Sequence, residues 1–342
     1  MPPKSSVFQK FNKNQEIRSN RHQTQRVGRV GTRLTVPPLV FRTGTRAKLK
    51  PPAQRKSVIS LRRIIEFSFF FDRTYVSKMI GENGSFLSGG ELQRLNLAKA
   101  LLELADDNLI LGHRLSELCG HAPMLEEDLA LPNMGLDLIG TARTLYTYAC
   151  EIEDKNRSED DLAFLRNERE FVNCLLVERP NTDFAHTILK QLYFSTFMES
   201  YWTAALSSKD EIIMGIAGKA KKEMAYHIRH SGEWVIRLGD GTTESNKRIC
   251  DAVTALHIYT NELFINSPNT EFFHKNDILP DRASLKHGWE QAINSIFKQG
   301  FIPYPKDNNE LIGGRSGLHG EELGHLLASM QSVHRTYPGA KW

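Results

Sequence analysis

The chain has 342 residues, 40% of them apolar and 25% charged, which is the make-up of a folded, water-facing protein with one large domain or two ordinary ones. No apolar run approaches the roughly 20 residues of a membrane span, so a transmembrane class is excluded. Four scattered cysteines without a CxxC (Cys119, Cys150, Cys174 and Cys250) exclude a disulfide frame and read as reduced thiols of a cytoplasmic protein. The net charge of +4 conceals a split. Residues 1–63 hold 16 Lys or Arg against one acid, a net +15, and the rest holds 28 bases against 39 acids, a net −11.

Residues 1–60 lack helical or strand periodicity and are rich in Arg, Lys, Gln, Thr and Pro. They carry too little apolar surface to offset chain entropy, so a disordered basic extension is expected over about residues 1–90. An arginine-rich, acid-poor start is also the pattern of a transit peptide. Its charge could meet phosphates, but no aromatic side chains are interleaved to stack on bases, so a nucleic-acid role is not expected. An apolar patch, Ile64 to Phe71, follows. Ile80-Gly-Glu-Asn-Gly-Ser85 and Leu87-Ser-Gly-Gly-Glu-Leu-Gln-Arg94 resemble the signature loop of ABC-type ATPases, in which a helix N-terminus faces a phosphate. That loop works only against a P-loop, and no GxxxxGK[ST] occurs here, which excludes nucleotide hydrolysis.

From about Glu91 the pattern becomes helical, opening an acidic domain over 91–342. A first helix runs to about Leu118, and Gly120 and Pro123 break and restart the chain. A second helix runs to about Glu151. Leu125, Leu129, Pro132, Leu136 and Ile139 recur on it at spacings of four, three, four and three, which predicts a buried stripe. Asp107, His113, Asp128, Asn133 and Asp137 lie on or beside the expected buried faces of this pair. A charged connection, Lys155 to Glu168, carries a short turn near Leu162, and the apolar run Phe171 to Val177 follows. Pro180 bars helix at Arg179, and Asn181 or Thr182 can cap the next start. A third helix, aromatic-rich, spans Asp183 to about Leu206, and a fourth spans Glu211 to Leu238 before Gly239-Asp-Gly241. Further helices are expected at Asn246–Phe264, Arg282–Phe297 and Gly320–Thr336, with a Pro/Gly-rich loop from Ile302 to Gly317. The class is all-α: an antiparallel bundle with additional C-terminal helices.

The fourth helix carries the chemistry. Its expected core stripe is Ile213, Ile216, Ala220, Glu223, His227, His230 and Trp234, and three consecutive members are polar. Burying a carboxylate or imidazole without a partner costs several kcal/mol, so partners must exist. Carboxylate-bridged di-iron bundles take one Glu from each of two helices and Glu-x-x-His from each of the other two. Here the spacing is Glu-x-x-x-His, the second helix offers no His beside its carboxylates, and Gln191 and Ser195 stand where the third helix would need an acid. The expectation is a degenerate site at Asp128, Asp137, Glu223 and His227, joined as a metal-free polar network. The rival reading is a self-sufficient di-iron oxidase using Asp137, Glu223 and His227. His319-Gly-Glu-Glu-Leu-Gly-His325 contains Glu322-x-x-His325 but lies outside the four helices, so a capping or surface role is expected. His113, Cys119 and His121 are too irregular in spacing for a closed zinc site.

From about Leu101 to Trp342 the sequence resembles the C-subunit family of bacterial 1,2-phenylacetyl-CoA epoxidases. The likeness rests on Leu111-Gly-His-Arg-Leu-Ser-Glu117, Cys119-Gly-His-Ala-Pro123, Glu127-Asp-Leu-Ala-Leu131, Gly135-Leu-Asp-Leu-Ile-Gly140, Lys222-Glu-Met-Ala-Tyr-His-Ile-Arg229, Arg237-Leu-Gly-Asp-Gly-Thr242 and Tyr337-Pro-Gly-Ala-Lys-Trp342. The first 90 or so residues have no counterpart there. The resemblance implies a ferritin-like bundle without catalytic or metal-binding residues of its own. It also implies a role in phenylacetate catabolism beside a homologous A subunit that carries the di-iron site and binds the CoA thioester. A B subunit and a reductase with FAD and an iron–sulfur cluster, fed by NADPH, complete the implied complex.

Overall fold

The computed structural model describes residues 89–305 and 310–340. The readings of the basic leader, of the apolar patch at Ile64–Phe71 and of the stretch Ile80–Ser88 lie outside them. Gly89 to Arg94, the end of the signature-like motif, begins the first helix.

Four long helices make the bundle. Helix α1 spans Gly89–Ser116 and α2 spans Leu125–Glu153. After two short helices, α3 (Glu159–Phe164) and α4 (Leu175–Glu178), come α5 (Phe184–Ala205) and α6 (Glu211–Gly239). The C-terminal part adds α7 (Thr243–Leu256), α8 (Glu271–Lys275), α9 (Lys286–Gln299), α10 (Glu321–Met330) and α11 (Ser332–Thr336). No strand occurs among the described residues, and none of their helices is long and apolar enough to cross a membrane. All four cysteines are free.

The helices pack as two antiparallel hairpins, α1 with α2 and α5 with α6, and α2 also meets α6. At the first corner Gly120 adopts φ +77°, and the Asp128 carboxylate accepts from Gly120 N at 2.7 Å and Ala122 N at 3.3 Å. The second hairpin begins where Arg179, at φ −56° and ψ 139°, leaves the helical region before Pro180. The cap of α5 is Asp183, which accepts from His186 N at 2.8 Å, and not Asn181 or Thr182. Asn181 is used elsewhere, its amide donating to Arg114 O.

Helices α1 and α5 form the interior. Every residue of α1 from Ala100 to Gly112 is buried, and α5 buries all but a few of its side chains. The stripe expected on α2 is corrected by the structure. Leu125, Leu129 and Leu136 are 70%, 60% and 65% exposed, and the buried face is Leu131, Met134, Leu138, Ala142, Leu145 and Tyr146. The reason is a close helix crossing. A Cβ on Gly135 would lie 2.9 Å from Gly112 O, and one on Gly112 would lie 2.8 Å from Ile139 Cγ1. The two glycines bring the backbones together and orient α2, leaving its other leucine row outside.

Candidate functional site

Three of the four residues singled out in the sequence come together where α2, α5 and α6 cross. His227 of α6 is wholly buried. Gln191 of α5 donates to its Nδ1 at 3.0 Å, and its Nε2 donates to Asp137 of α2 at 3.1 Å. One turn earlier on α6, Glu223 lies 3.4 Å from Lys219. Burial lifts the Glu223 carboxyl above its ordinary range; Lys219 pulls the other way and the nearby Asp137 adds to the rise. Further along, His230 lies 3.0 Å from Glu127, which also accepts from Trp234 Nε1 at 2.8 Å. Asp128 does not join them, because it is turned to the α1–α2 corner.

This arrangement fits poorly with a bound metal. Both ring nitrogens of His227 are engaged by protein groups, so the imidazole has no lone pair free for a cation. The α5 contribution is an amide rather than a carboxylate. Among the described residues no three His, Cys, Asp or Glu side chains are arranged to hold a metal ion.

A larger buried polar network lies on the other side of α1. Glu103, Asp106 and Asp107 sit at i, i+3 and i+4 within an otherwise apolar stretch. Each meets an arginine from a distant loop. Arg282 donates to Glu103 at 2.9 Å, and Ser267 adds a bond to the same oxygen at 2.5 Å. Arg166 grips both oxygens of Asp106, which also accepts from Tyr146 OH and Val172 N. Arg315 binds Asp107 in a two-pronged pair at 3.0 and 2.7 Å, while Cys174 N donates to the same carboxylate. Burial lifts the Asp107 carboxyl above its usual range in spite of Arg315. Of these three acids, only Asp107 stands out from sequence periodicity. The available signal for the others was the acid triplet itself in a run that reads as core.

Of the motif given a capping or surface role, His325 is exposed, but the His319 side chain is wholly buried. Nδ1 lies 2.8 Å from Glu178 Oε2 and Nε2 lies 2.9 Å from Phe171 O. The loop before α10 runs inward, not outward, because Gly314 and Gly317 let it lie against the backbone of Asn173 and Arg169. Glu322 pairs with Arg179 at 3.4 Å.

Residues 88–342 match the family described as phenylacetic acid catabolic protein. The chain is 41% identical over 241 residues to the C subunit of the 1,2-phenylacetyl-CoA epoxidase of Escherichia coli (strain K12), an alignment covering 70% of this chain and 97% of that protein. With an all-α bundle whose likeness runs through its crossing helices and its closing C-terminal segment, the chain belongs to the phenylacetic acid catabolic protein family.

Proposed function

We propose that this chain is the non-catalytic C subunit of a multicomponent 1,2-phenylacetyl-CoA epoxidase, the ring-epoxidising oxygenase of phenylacetate degradation. In this reading it pairs with a homologous di-iron A subunit and holds that subunit's helices in register. A B subunit and an NADPH-driven reductase with FAD and an iron–sulfur cluster complete the assembly. The observation that carries it is the crossing of α2, α5 and α6: the imidazole and carboxylates there are bonded to Gln191, Lys219, Trp234 and one another. The outward row Leu125, Leu129 and Leu136 supports the pairing. These three leucines, at spacings of four and seven, lie along one side of α2 as a row that another helix can pack against.

The test is co-expression with the A subunit, followed by metal quantitation of each purified chain. Well under one iron per protomer is expected here, with the iron in the A subunit. Two irons per protomer in this chain alone, with oxygen consumption that Glu223→Ala abolishes, would replace the reading with a self-sufficient di-iron oxidase.

A further inference from the structure

The segment Leu311–Thr336 crosses the body of the domain and is fastened at many points. Leu311 N donates to Ile258 O, and Gly313 N and Arg315 N donate to Glu262. Arg315 binds Asp107. At the far end Gln331 donates to the carbonyls of Ala163 and Arg166, and Arg335 donates to those of Phe164, Leu165 and Arg166. Arginines, amides and backbone groups keep their protons across the neutral range. Between these ends Gly320 N donates to Glu178, Arg114 donates to Glu322 O and Arg179 pairs with Glu322, and the titratable buried link is His319.

The partners of His319 determine its protonation state. Phe171 O can only accept. Glu178 is a carboxylate: its Oε1 accepts from Gly320 N at 2.8 Å and Arg179 at 2.9 Å, and its Oε2 accepts from Asn173 at 3.0 Å. Burial alone would raise the Glu178 carboxyl, but these donors and His319 hold it below its ordinary value. Two acceptors face two ring nitrogens, so both nitrogens must donate and the ring is an imidazolium. Burial opposes that charge, yet the bond to Glu178, its charge and the Phe171 carbonyl carry the ring above its ordinary value. The charged groups around it are Asp106 and Arg114 of α1, Glu178 of α4, Arg179 beyond α4, and Glu322 of α10. Arg114 donates to the backbone carbonyls of Glu178 and Glu322, whereas Arg179 binds the Glu178 and Glu322 carboxylates.

We propose that Leu311–Thr336 is a proton-latched strap, held against α4 by doubly protonated His319 and freed from it when the ring loses one proton. A neutral ring can satisfy one acceptor only and turns a lone pair on the other. Because the closed form binds this proton more tightly than the open form, closure is strongest below the ring's ordinary value. It weakens as pH rises through the raised one. Opening grows about tenfold per pH unit between those two values and then levels off.

The experiment is hydrogen exchange of the full chain between pH 6 and pH 9, corrected for intrinsic rates. Amides of residues 321–330 lose protection as pH rises above the ring's ordinary value and then level off, while those of α5 do not change. H319Q is equally open at both ends of the range. Equal protection of residues 321–330 at all pH values in the native chain overturns the proposal, and so does an undiminished pH response in H319Q. If H319Q does not fold, imidazole 15N resonances of the native chain decide: protons on both His319 nitrogens at pH 7 are expected. A neutral ring at that pH overturns the latch.

Discussion

At the residue scale, Asp106, Asp107, His227 and His319 among the described residues act by being paired in the interior. Asp107 is buried against Arg315, and removing one member of such a pair leaves an uncompensated charge. Arg315→Met should therefore cost about 3–5 kcal/mol in urea unfolding. D107N/R315M together should cost less than the single change, because the stranded charge is gone. His227 is a milder case. His227→Phe removes the bonds to Gln191 and Asp137, and about 1–3 kcal/mol of lost stability is expected, with no change in iron content. Asp137, Glu223 and His227 were legible in the sequence because helical periodicity alone aligns them. Asp106 and its Arg166 were not, since 60 residues separate them and no local pattern pairs an acid with a loop arginine so far away.

At the element scale, the boundaries of the long helices follow from composition: Gly120 and Pro123 end one run, Pro180 and Asp183 begin another, and Gly239 stops a third. Asp183→Ala should lower the melting point through about 0.5–2 kcal/mol of lost capping. The face of α2 was not legible from periodicity, because two rows of leucine compete on that helix. The tie is broken by Gly112 and Gly135, whose role is the absence of a side chain. Gly135→Ala should cost about 1–3 kcal/mol from the clash with Gly112 O. Gly215→Ala on α6 meets nothing within 4 Å and should stabilise the same domain by about 0.5–1 kcal/mol. The pair of variants, measured by the same unfolding titration, separates packing from backbone entropy.

At the scale of the whole molecule, the exposed row on α2 separates stability from assembly. L129E/L136E changes side chains that are already 60% and 65% in water, so the isolated chain should keep its unfolding midpoint within about 0.5 kcal/mol. On the proposed pairing, co-purification with a homologous A subunit should be lost. An unchanged yield of the pair would place the partner on another face. The all-α class was readable from composition and period, whereas the inward path of residues 311–320 was not. It depends on Gly314 and Gly317 allowing contacts that any Cβ would prevent.

The unbroken burial of α1 from Ala100 to Gly112 has a consequence for how the chain comes into being. That helix leaves the ribosome before every other described element, yet the guanidinium groups that neutralise it stand at positions 166, 282 and 315. For most of synthesis the earliest rod cannot be finished, and its acids must wait in water for cations not yet made. Translation arrested before Arg315 should release a product that aggregates or is degraded rather than a shortened bundle, because the first described helix is completed by a residue made more than 200 positions later.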